Sequence, residues 1–153
     1  MQVKQEFFDQ FIQDFKSLLG PAQKALQTLI DEPGCPDADS LEHLFRTYHS
    51  IKGGSAVLGL YKLNKLAGGL ESVLGKVRDS GLVLGVDSVE IVGDVHAMIT
   101  AMVDAPVKAE SMEAGDLIEA VQALAEGRSV PNLAKVQVPT FGSPSSDVDP
   151  VLV

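Results

Sequence analysis

Apolar side chains recur every three or four residues along most of the first 127 positions of this 153-residue chain. That spacing is typical of one face of an α-helix, and it predicts five successive helices. They are residues 4–32, Asp39 to about Leu58, a third carrying Leu63 to Val77 and stopping at Gly81, a fourth from Asp87 to Pro106, and a shorter fifth holding Leu117 to Leu124 before Gly127. No sustained alternation of period two precedes Gly127, and the connections are short. We therefore predict an all-α fold, an up-and-down antiparallel helical bundle with a four-helix core plus a fifth helix.

Several helix ends carry local signals. Gly20-Pro21 interrupts the first helical pattern, so either one helix kinks there or two helices meet with Pro21 in the first turn of the second. Asp39 followed by Glu42 has capping-box spacing, as has Asp87 followed by Glu90. We expect these pairs to open the second and fourth helices.

The last part of the chain differs in kind from the rest. Residues 128–153 contain Pro131, Pro139, Pro144 and Pro150 with serines among them. Such a composition is typical of a linker or tail. The predicted organisation is a helical bundle domain over residues 1–127 and a linker or tail over residues 128–153.

Composition narrows the possible partners and compartments. The formal net charge is −9, which argues against nucleic acid and against an anionic membrane surface, because both require clusters of Lys and Arg. No stretch approaches the roughly 20 apolar residues that a membrane span needs, so no membrane insertion is expected. Cys35 has no second cysteine to pair with, which favours a reducing compartment and predicts a cytoplasmic protein.

One stretch of the predicted second helix carries candidate chemistry. It reads Arg46-x-x-His49-x-x-Lys52-Gly53-Gly54 and is followed by Gly59. Positions i, i+3 and i+4 of a helix share a face, so His49, Lys52 and Gly53 form one exposed patch. The patch combines a nucleophile, a cation beside it and a gap where a side chain would have stood. Those are the parts needed to accept and hold a phosphoryl group.

Each of these residues also has a plain structural explanation. A histidine at the edge of an apolar stripe is usually structural, and Lys52 could be an ordinary solvated lysine. Glycine inside a helix costs about 1 kcal/mol relative to alanine, so Gly53 and Gly54 need a reason. Close approach by a partner is one reason and tight helix packing is another. The remaining possibility is that the pair marks a helix end or kink.

The motif resembles the signature of histidine phosphotransfer (HPt) domains. It most resembles the version in the amino-terminal domain of chemotaxis histidine kinases of the CheA type, and the likeness extends over about residues 4–127. The resemblance implies that His49 accepts a phosphoryl group from an ATP-binding histidine kinase domain and passes it to an aspartate on a response-regulator receiver domain. The chain is then expected to be either a fragment of a histidine protein kinase, cut in the linker, or a free-standing carrier, and the Pro/Ser-containing tail favours the fragment.

The resemblance also assigns roles to other positions. Glu71 matches the family glutamate that accepts from Nδ1 of the histidine and leaves Nε2 free to attack. Lys52 would stabilise the transferred phosphoryl group, and Arg46 would add positive potential or dock an acidic partner. Some chemotaxis kinases carry a second histidine where this chain has Gly68. The hydrogen-bond network could therefore be smaller here, with space that admits water or lets helices approach closely.

The chain lacks the motifs that would let it work alone. It has no Gly-x-x-x-x-Gly-Lys-Ser/Thr sequence, no glycine-rich ATP lid and no alternating βα pattern of a receiver domain. No cofactor is expected to bind this chain, and ATP and Mg²⁺ must come with partner domains. His43 and His96 belong to no metal-ligand spacing and are expected to be incidental. The alternative function is a non-catalytic helical docking or dimerisation module, a degenerate HPt domain. A buried His49 with both ring nitrogens bonded to protein groups would favour that alternative.

Overall fold

The computed structural model describes residues 2–128, with side chains from residue 5 onward, as five α-helices and one 3₁₀ helix. The helices are α1 (Gln2–Asp31), α2 (Ala38–Leu58), α3 (Tyr61–Ser80), α4 (Val86–Asp104), the 3₁₀ helix (Pro106–Ser111) and α5 (Gly115–Glu126). No strand occurs among these residues, which confirms the all-α prediction. The predicted linker or tail lies, except for Arg128, outside the described residues.

The helices form a closed ring of four with a fifth helix beside it. α1 packs on α2, α2 on α3, α3 on α4, and α4 returns to α1. The two residues between α2 and α3, Gly59 and Leu60, allow only an antiparallel hairpin, and this pair has the largest interface in the bundle. α5 covers α3 and α4 from outside, so the core consists of four helices plus one, as predicted.

Aliphatic side chains from every helix fill the core. Leu44 and Ile51 of α2 and Leu66 and Leu70 of α3 are fully buried at the central hairpin. Each such side chain contributes about 1.5–3 kcal/mol relative to an exposed one. The hairpin that carries the candidate site therefore rests on fully buried side chains from both of its helices.

The helix starts differ from the capping-box predictions. The N-cap of α2 is Asp37, which has extended backbone and accepts a hydrogen bond from the Ser40 amide at 2.9 Å. α4 begins at Val86 after Gly85, with no side-chain cap. Both predicted openings were wrong, because Asp39 and Asp87 lie inside the first turn. A carboxylate there still interacts favourably with the helix dipole but does not cap.

The helix ends follow the predicted glycines. Gly59, Gly81 and Gly127 are C-cap residues with φ of 76°, 72° and 72°, a left-handed conformation that glycine adopts without steric cost. α1 runs continuously through Pro21, so the single-helix alternative holds. The 3₁₀ helix was not predicted. It begins at Pro106, where a fixed φ and a missing N–H suit the first position of a helix.

A chain of buried hydrogen bonds links three helices across the core. The Tyr48 hydroxyl of α2 lies 2.5 Å from Nδ1 of His96 on α4, and Nε2 of His96 lies 2.8 Å from Oε1 of Gln23 on α1. The amide oxygen only accepts, so Nε2 carries the proton and Nδ1 accepts from the hydroxyl. Burial lowers the pKa of His96 to about 4. This histidine is therefore a neutral structural connector at physiological pH.

Candidate phosphoacceptor site

His49 projects from α2 at the edge of the buried stripe. The preceding residue, Tyr48, is fully buried, and successive helical side chains are turned by about 100°. That rotation brings the next side chain out of the core, and the imidazole of His49 is 64% exposed. The predicted water-facing position of this ring is what the structure shows.

Glu71 of α3 holds the inner edge of the imidazole. Its Oε2 lies 2.6 Å from Nδ1 of His49, and its side chain is only 11% exposed. An ionised carboxylate can only accept hydrogen bonds, so Nδ1 carries the proton and the lone pair of the neutral ring is on Nε2. No described residue forms a hydrogen bond with Nε2. The ring is thus oriented with its nucleophilic nitrogen available.

Lys52 binds the other oxygen of the same carboxylate. Its Nζ lies 2.6 Å from Oε1 of Glu71, and its side chain is 42% exposed. Burial by itself raises the pKa of Glu71, but hydrogen bonds and charge from Lys52, and then from His49, outweigh it and hold the pKa below its ordinary value. Glu71 therefore stays ionised, with one oxygen on each partner.

The aliphatic stem of Lys52 packs against Gly68 of α3. A Cβ atom placed at Gly68 would lie 3.2 Å from Cδ of Lys52, so the stem runs across α3 where a side chain would otherwise stand. The space at this position is lined by the Lys52 side chain. Close helix approach occurs at the next residue, where a Cβ on Gly69 would lie 2.4 Å from Val121 of α5.

The two consecutive glycines of α2 have different surroundings. α2 continues to Leu58, so the explanation of a helix end is wrong. A Cβ on Gly54 would lie 2.6 Å from Cζ of Phe15 and 2.9 Å from Cδ1 of Phe11, so this glycine permits close packing of α1. A Cβ on Gly53 would meet nothing within 4 Å. Gly53 therefore leaves an open, low-relief surface one turn after His49.

Arg46 stands apart from the carboxylate cluster. Its side chain is 74% exposed and lies 3.4 Å from Glu42, one turn earlier on α2. Among the described residues it makes no hydrogen bond or ion pair with His49, Lys52 or Glu71. The structure thus brings together three of the predicted site residues and leaves Arg46 as a separate surface charge.

Three further residues support the site and were not predicted. The ring of Phe45 lies parallel to that of His49 at a centroid distance of 6.3 Å, and the guanidinium of Arg78 lies 4.1 Å from the centroid of Phe45. Asn64 of α3 donates to the Lys52 carbonyl at 2.8 Å. Phe45 could have been found from its spacing of four residues before His49. The other two contacts join residues far apart in sequence, which no local pattern reveals.

Neither a metal-holding cluster nor a membrane-spanning helix occurs among the described residues. No group of three or more His, Cys, Asp or Glu side chains within residues 2–128 is placed to hold a metal ion. No helix in this range is long and apolar enough to cross a membrane. What the site offers chemically is a nucleophilic nitrogen, a carboxylate that supports it and an adjacent ammonium group.

An all-α bundle with a carboxylate-held imidazole at its surface is the arrangement that the resemblance to histidine phosphotransfer domains predicts. The chain belongs to the Hpt domain family, whose model matches residues 6–105. Its similarity to named proteins agrees with the resemblance of the motif to chemotaxis kinases. The chemotaxis protein CheA of Salmonella typhimurium is 28% identical over 109 residues, which are 71% of this chain and 16% of that protein.

Two further relatives carry the same name. The chemotaxis protein CheA of Klebsiella aerogenes is 28% identical over 65% of this chain and 15% of its own length. That of Borreliella burgdorferi is 25% identical over 57% of this chain and 10% of its own length. The chain therefore matches only a small part of each of these relatives.

Proposed function

We propose that this chain is a phosphocarrier module of two-component signalling in which His49 accepts a phosphoryl group from an ATP-binding histidine kinase domain and passes it to a receiver-domain aspartate. The observation that carries the proposal is the 2.6 Å contact between Nδ1 of His49 and Oε2 of Glu71 on a ring that is 64% exposed. The contact selects the tautomer, and the exposure makes the reacting nitrogen accessible to a second protein.

The first step is attack by the Nε2 lone pair on the γ-phosphorus of ATP. The bond between phosphorus and the bridging oxygen breaks, and its electron pair leaves with ADP. The imidazole becomes positively charged as the N–P bond forms. Glu71 is ionised and bonded to Nδ1, so it stabilises this charge as the third member of other activated nucleophiles does.

Lys52 contributes a cation beside the transferred group. A mid-helix histidine receives no stabilisation from a helix N-terminus, and the phosphoryl group carries about two negative charges at neutral pH. The ammonium of Lys52 is partly exposed on a flexible stem, so it can interact with the phosphoryl oxygens while remaining next to Glu71. Phosphoryl transfer depends on such positioning and charge more than on covalent assistance.

The second step returns the site to its starting state. A receiver aspartate attacks the phosphorus, the N–P bond breaks, and its electron pair restores the lone pair on Nε2. The open surface at Gly53 admits the partner to the reacting nitrogen. Arg46 is exposed and adds positive potential at the rim of this approach.

ATP and Mg²⁺ belong to the partner domains in this proposal. The chain contains no nucleotide-binding motif, so in this proposal it takes the phosphoryl group of ATP only when a kinase domain presents the nucleotide. A donor that uses ATP places the module in the cytoplasm. The relatives are named for chemotaxis, and we propose a chemotaxis-type pathway as its setting.

Phosphorylation by a histidine kinase core tests the proposal. The chain is incubated with the kinase core and γ-labelled ATP, and the product is tested for a label that is lost in acid and stable in base, as expected for phosphohistidine. His49→Gln should abolish the label and leave the thermal transition in place. A label of this kind that survives the substitution contradicts the proposal.

The lysine provides a second, graded test. Lys52→Ala should slow phosphorylation more than it disturbs folding, because the stem lies at the surface. Loss of the thermal transition in this variant would contradict the assigned role. A docking or dimerisation module with a buried His49 is the competing function, and the exposure of the ring argues against it.

A further inference from the structure

A groove of about 400 Å³ runs along the outer side of α3, between Lys52 of α2 and the end of α5. Lys52 lines both this groove and the carboxylate cluster of His49. The groove therefore adjoins the candidate phosphoacceptor site through Lys52, although neither His49 nor Glu71 lines it.

The groove is basic although the chain is strongly acidic. Its lining includes Lys52, Lys65 and Lys76, while the chain as a whole carries a formal charge of −9. The carboxylate in the lining, Glu126, is paired with a cation of its own, because it lies 2.6 Å from Nε of Arg128. Within the described part of the chain, Lys65 and Lys76 form no ion pair. The Nζ of Lys65 lies 5.2 Å from the centroid of the Tyr61 ring, a contact that leaves its charge uncompensated, so both lysines can attract an anionic partner.

The spacing of the cations sets the size of the occupant. Lys65 and Lys76 are eleven residues apart on α3, which corresponds to about 16 Å along the helix axis. Lys52 contacts α3 between them, at Gly68. A distance of about 16 Å matches roughly five residues of extended chain. The groove thus fits a short segment with several negative charges better than a single small anion.

We propose that this groove binds a carboxylate-bearing segment of the receiver domain that accepts the phosphoryl group from His49. The inference rests on the proposed function and adds to it the surface that recognises the acceptor. In the proposed function the receiver reacts through an aspartate, and Mg²⁺ is bound by the partner domains. Because Mg²⁺ prefers carboxylate oxygens as ligands, we expect the reacting end of the receiver to carry several carboxylates. Bound in the groove, its acidic segment brings the acceptor aspartate toward His49 and is attracted by the lysines at long range.

The test measures transfer from phosphorylated chain to receiver as the receiver concentration is varied. The receiver is a purified domain chosen because it removes the phosphoryl group from the wild-type chain. Lys65→Glu combined with Lys76→Glu should raise the KM for transfer about tenfold at low ionic strength and leave kcat unchanged. The difference should shrink as added salt screens the charges. Lys16→Glu combined with Lys24→Glu, on α1, makes the same change in net charge and should leave KM near the wild-type value.

Two further measurements separate docking from chemistry. Phosphoramidate is a small donor whose P–N bond breaks as ammonia leaves, and it should label His49 equally in the wild type and both double variants. Phosphorylation by the kinase core should also keep its KM in the groove variant. The thermal transition of each variant verifies the fold, and Lys65→Gln with Lys76→Gln should give an intermediate KM.

Each other result overturns the inference. An unchanged KM in the groove variant, or an equal rise in the α1 control, shows that the groove does not recognise the receiver. A KM that rises for the kinase reaction instead assigns the groove to the donor. If neither the kinase core nor phosphoramidate labels His49 of the wild type, or no receiver accepts from it, the proposed function itself fails and the groove assignment fails with it.

Discussion

Two histidines of this protein lie in opposite environments. His49 is 64% exposed, with Nδ1 on a carboxylate and no described residue bonded to Nε2. His96 is 4% exposed, with both ring nitrogens bonded to neutral groups, the Tyr48 hydroxyl and the Gln23 amide. The same side chain serves as a candidate nucleophile in one place and as a core connector in the other.

The difference shows which surroundings make an imidazole reactive. Accessibility of one nitrogen is necessary, and a negative partner on the other stabilises the charge that attack creates. Burial among neutral partners does the reverse, because it disfavours the charged ring and occupies both nitrogens. Tyr48 and His49 are neighbours in sequence, so one turn of α2 contributes to both environments.

The largest expected effect comes from substituting each histidine in turn. His49→Gln should remove all acid-labile label, whereas His96→Gln should retain labelling per folded molecule while lowering the thermal midpoint. The measurement combines labelling by a kinase core with thermal denaturation. Loss of labelling in a fully folded His96→Gln protein would break the contrast between the two rings.

Removal of the carboxylate should weaken the reactive histidine without abolishing it. Glu71→Ala takes away the group that orients Nδ1, and we expect phosphorylation to slow by about 10²-fold, at the low end of acid–base contributions. Glu71→Gln keeps an acceptor oxygen without the charge and should be less impaired. An unchanged single-turnover rate in the alanine variant would remove Glu71 from the mechanism.

Acid should destabilise the protein through the buried histidine. The pKa of His96 is lowered to about 4 from an ordinary value of 6.5. Between these values the unfolded chain binds a proton that the folded chain does not, so stability falls as the pH decreases from 6.5 toward 4. The shift corresponds to roughly 3 kcal/mol.

Urea denaturation at several pH values measures this loss. His96→Gln should flatten the slope between pH 6.5 and 5, because it removes the ring that burial keeps neutral. The paired carboxylate Glu71, whose pKa is lowered, adds to the loss only at lower pH, where it becomes protonated. A flat stability profile between pH 6.5 and 5 would contradict the role of His96.

The smallest effects should come from the two glycines of α2. Gly54→Ala should cost about 1–3 kcal/mol, because its methyl group would overlap Phe15 and Phe11. Gly53→Ala lies in open space and should stabilise the helix by up to about 1 kcal/mol. Chemical denaturation compares the two variants, and the opposite order of stability would contradict the assigned packing.

Gly53→Ala also tests whether Gly53 keeps the approach of a partner protein to His49 open. If Gly53 keeps the approach to His49 open, the more stable variant should transfer its phosphoryl group to a receiver more slowly. Labelling by phosphoramidate, which needs no protein contact, should not change. Equal slowing of both reactions would indicate a disturbed imidazole and not a blocked approach.

The sequence allowed the helices and part of the site to be predicted. Apolar spacing located all five α-helices, and the terminal glycines Gly59, Gly81 and Gly127 located three ends. His49 and Lys52 could be placed on one face because a single turn of helix relates them. The capping residue Asp37 was missed, because Glu42 follows Asp39 at capping-box spacing whereas Ser40 stands at that distance from Asp37. Only the backbone geometry shows that Asp37 is the cap.

Contacts between helices could not be predicted from these local sequence patterns. The pairing of Glu71 with His49 was expected from the family resemblance, whereas its second contact, with Lys52, was not expected. The Lys52 stem packs against Gly68, and His96 forms a hydrogen bond with Tyr48. Both contacts join residues that are far apart in sequence, so no local pattern predicts them.

What the sequence by itself determined is local: which segments are helical, where they end, and that a histidine, a lysine and a glycine share one exposed surface of α2. These follow from interactions within one or two turns. Only the tertiary structure decided which oxygen of Glu71 holds which partner, which glycine of the pair packs and which stays open, and which histidine is buried. Those outcomes depend on how α1, α3 and α4 pack against α2, because packing alone determines distance and exposure between residues far apart in the chain.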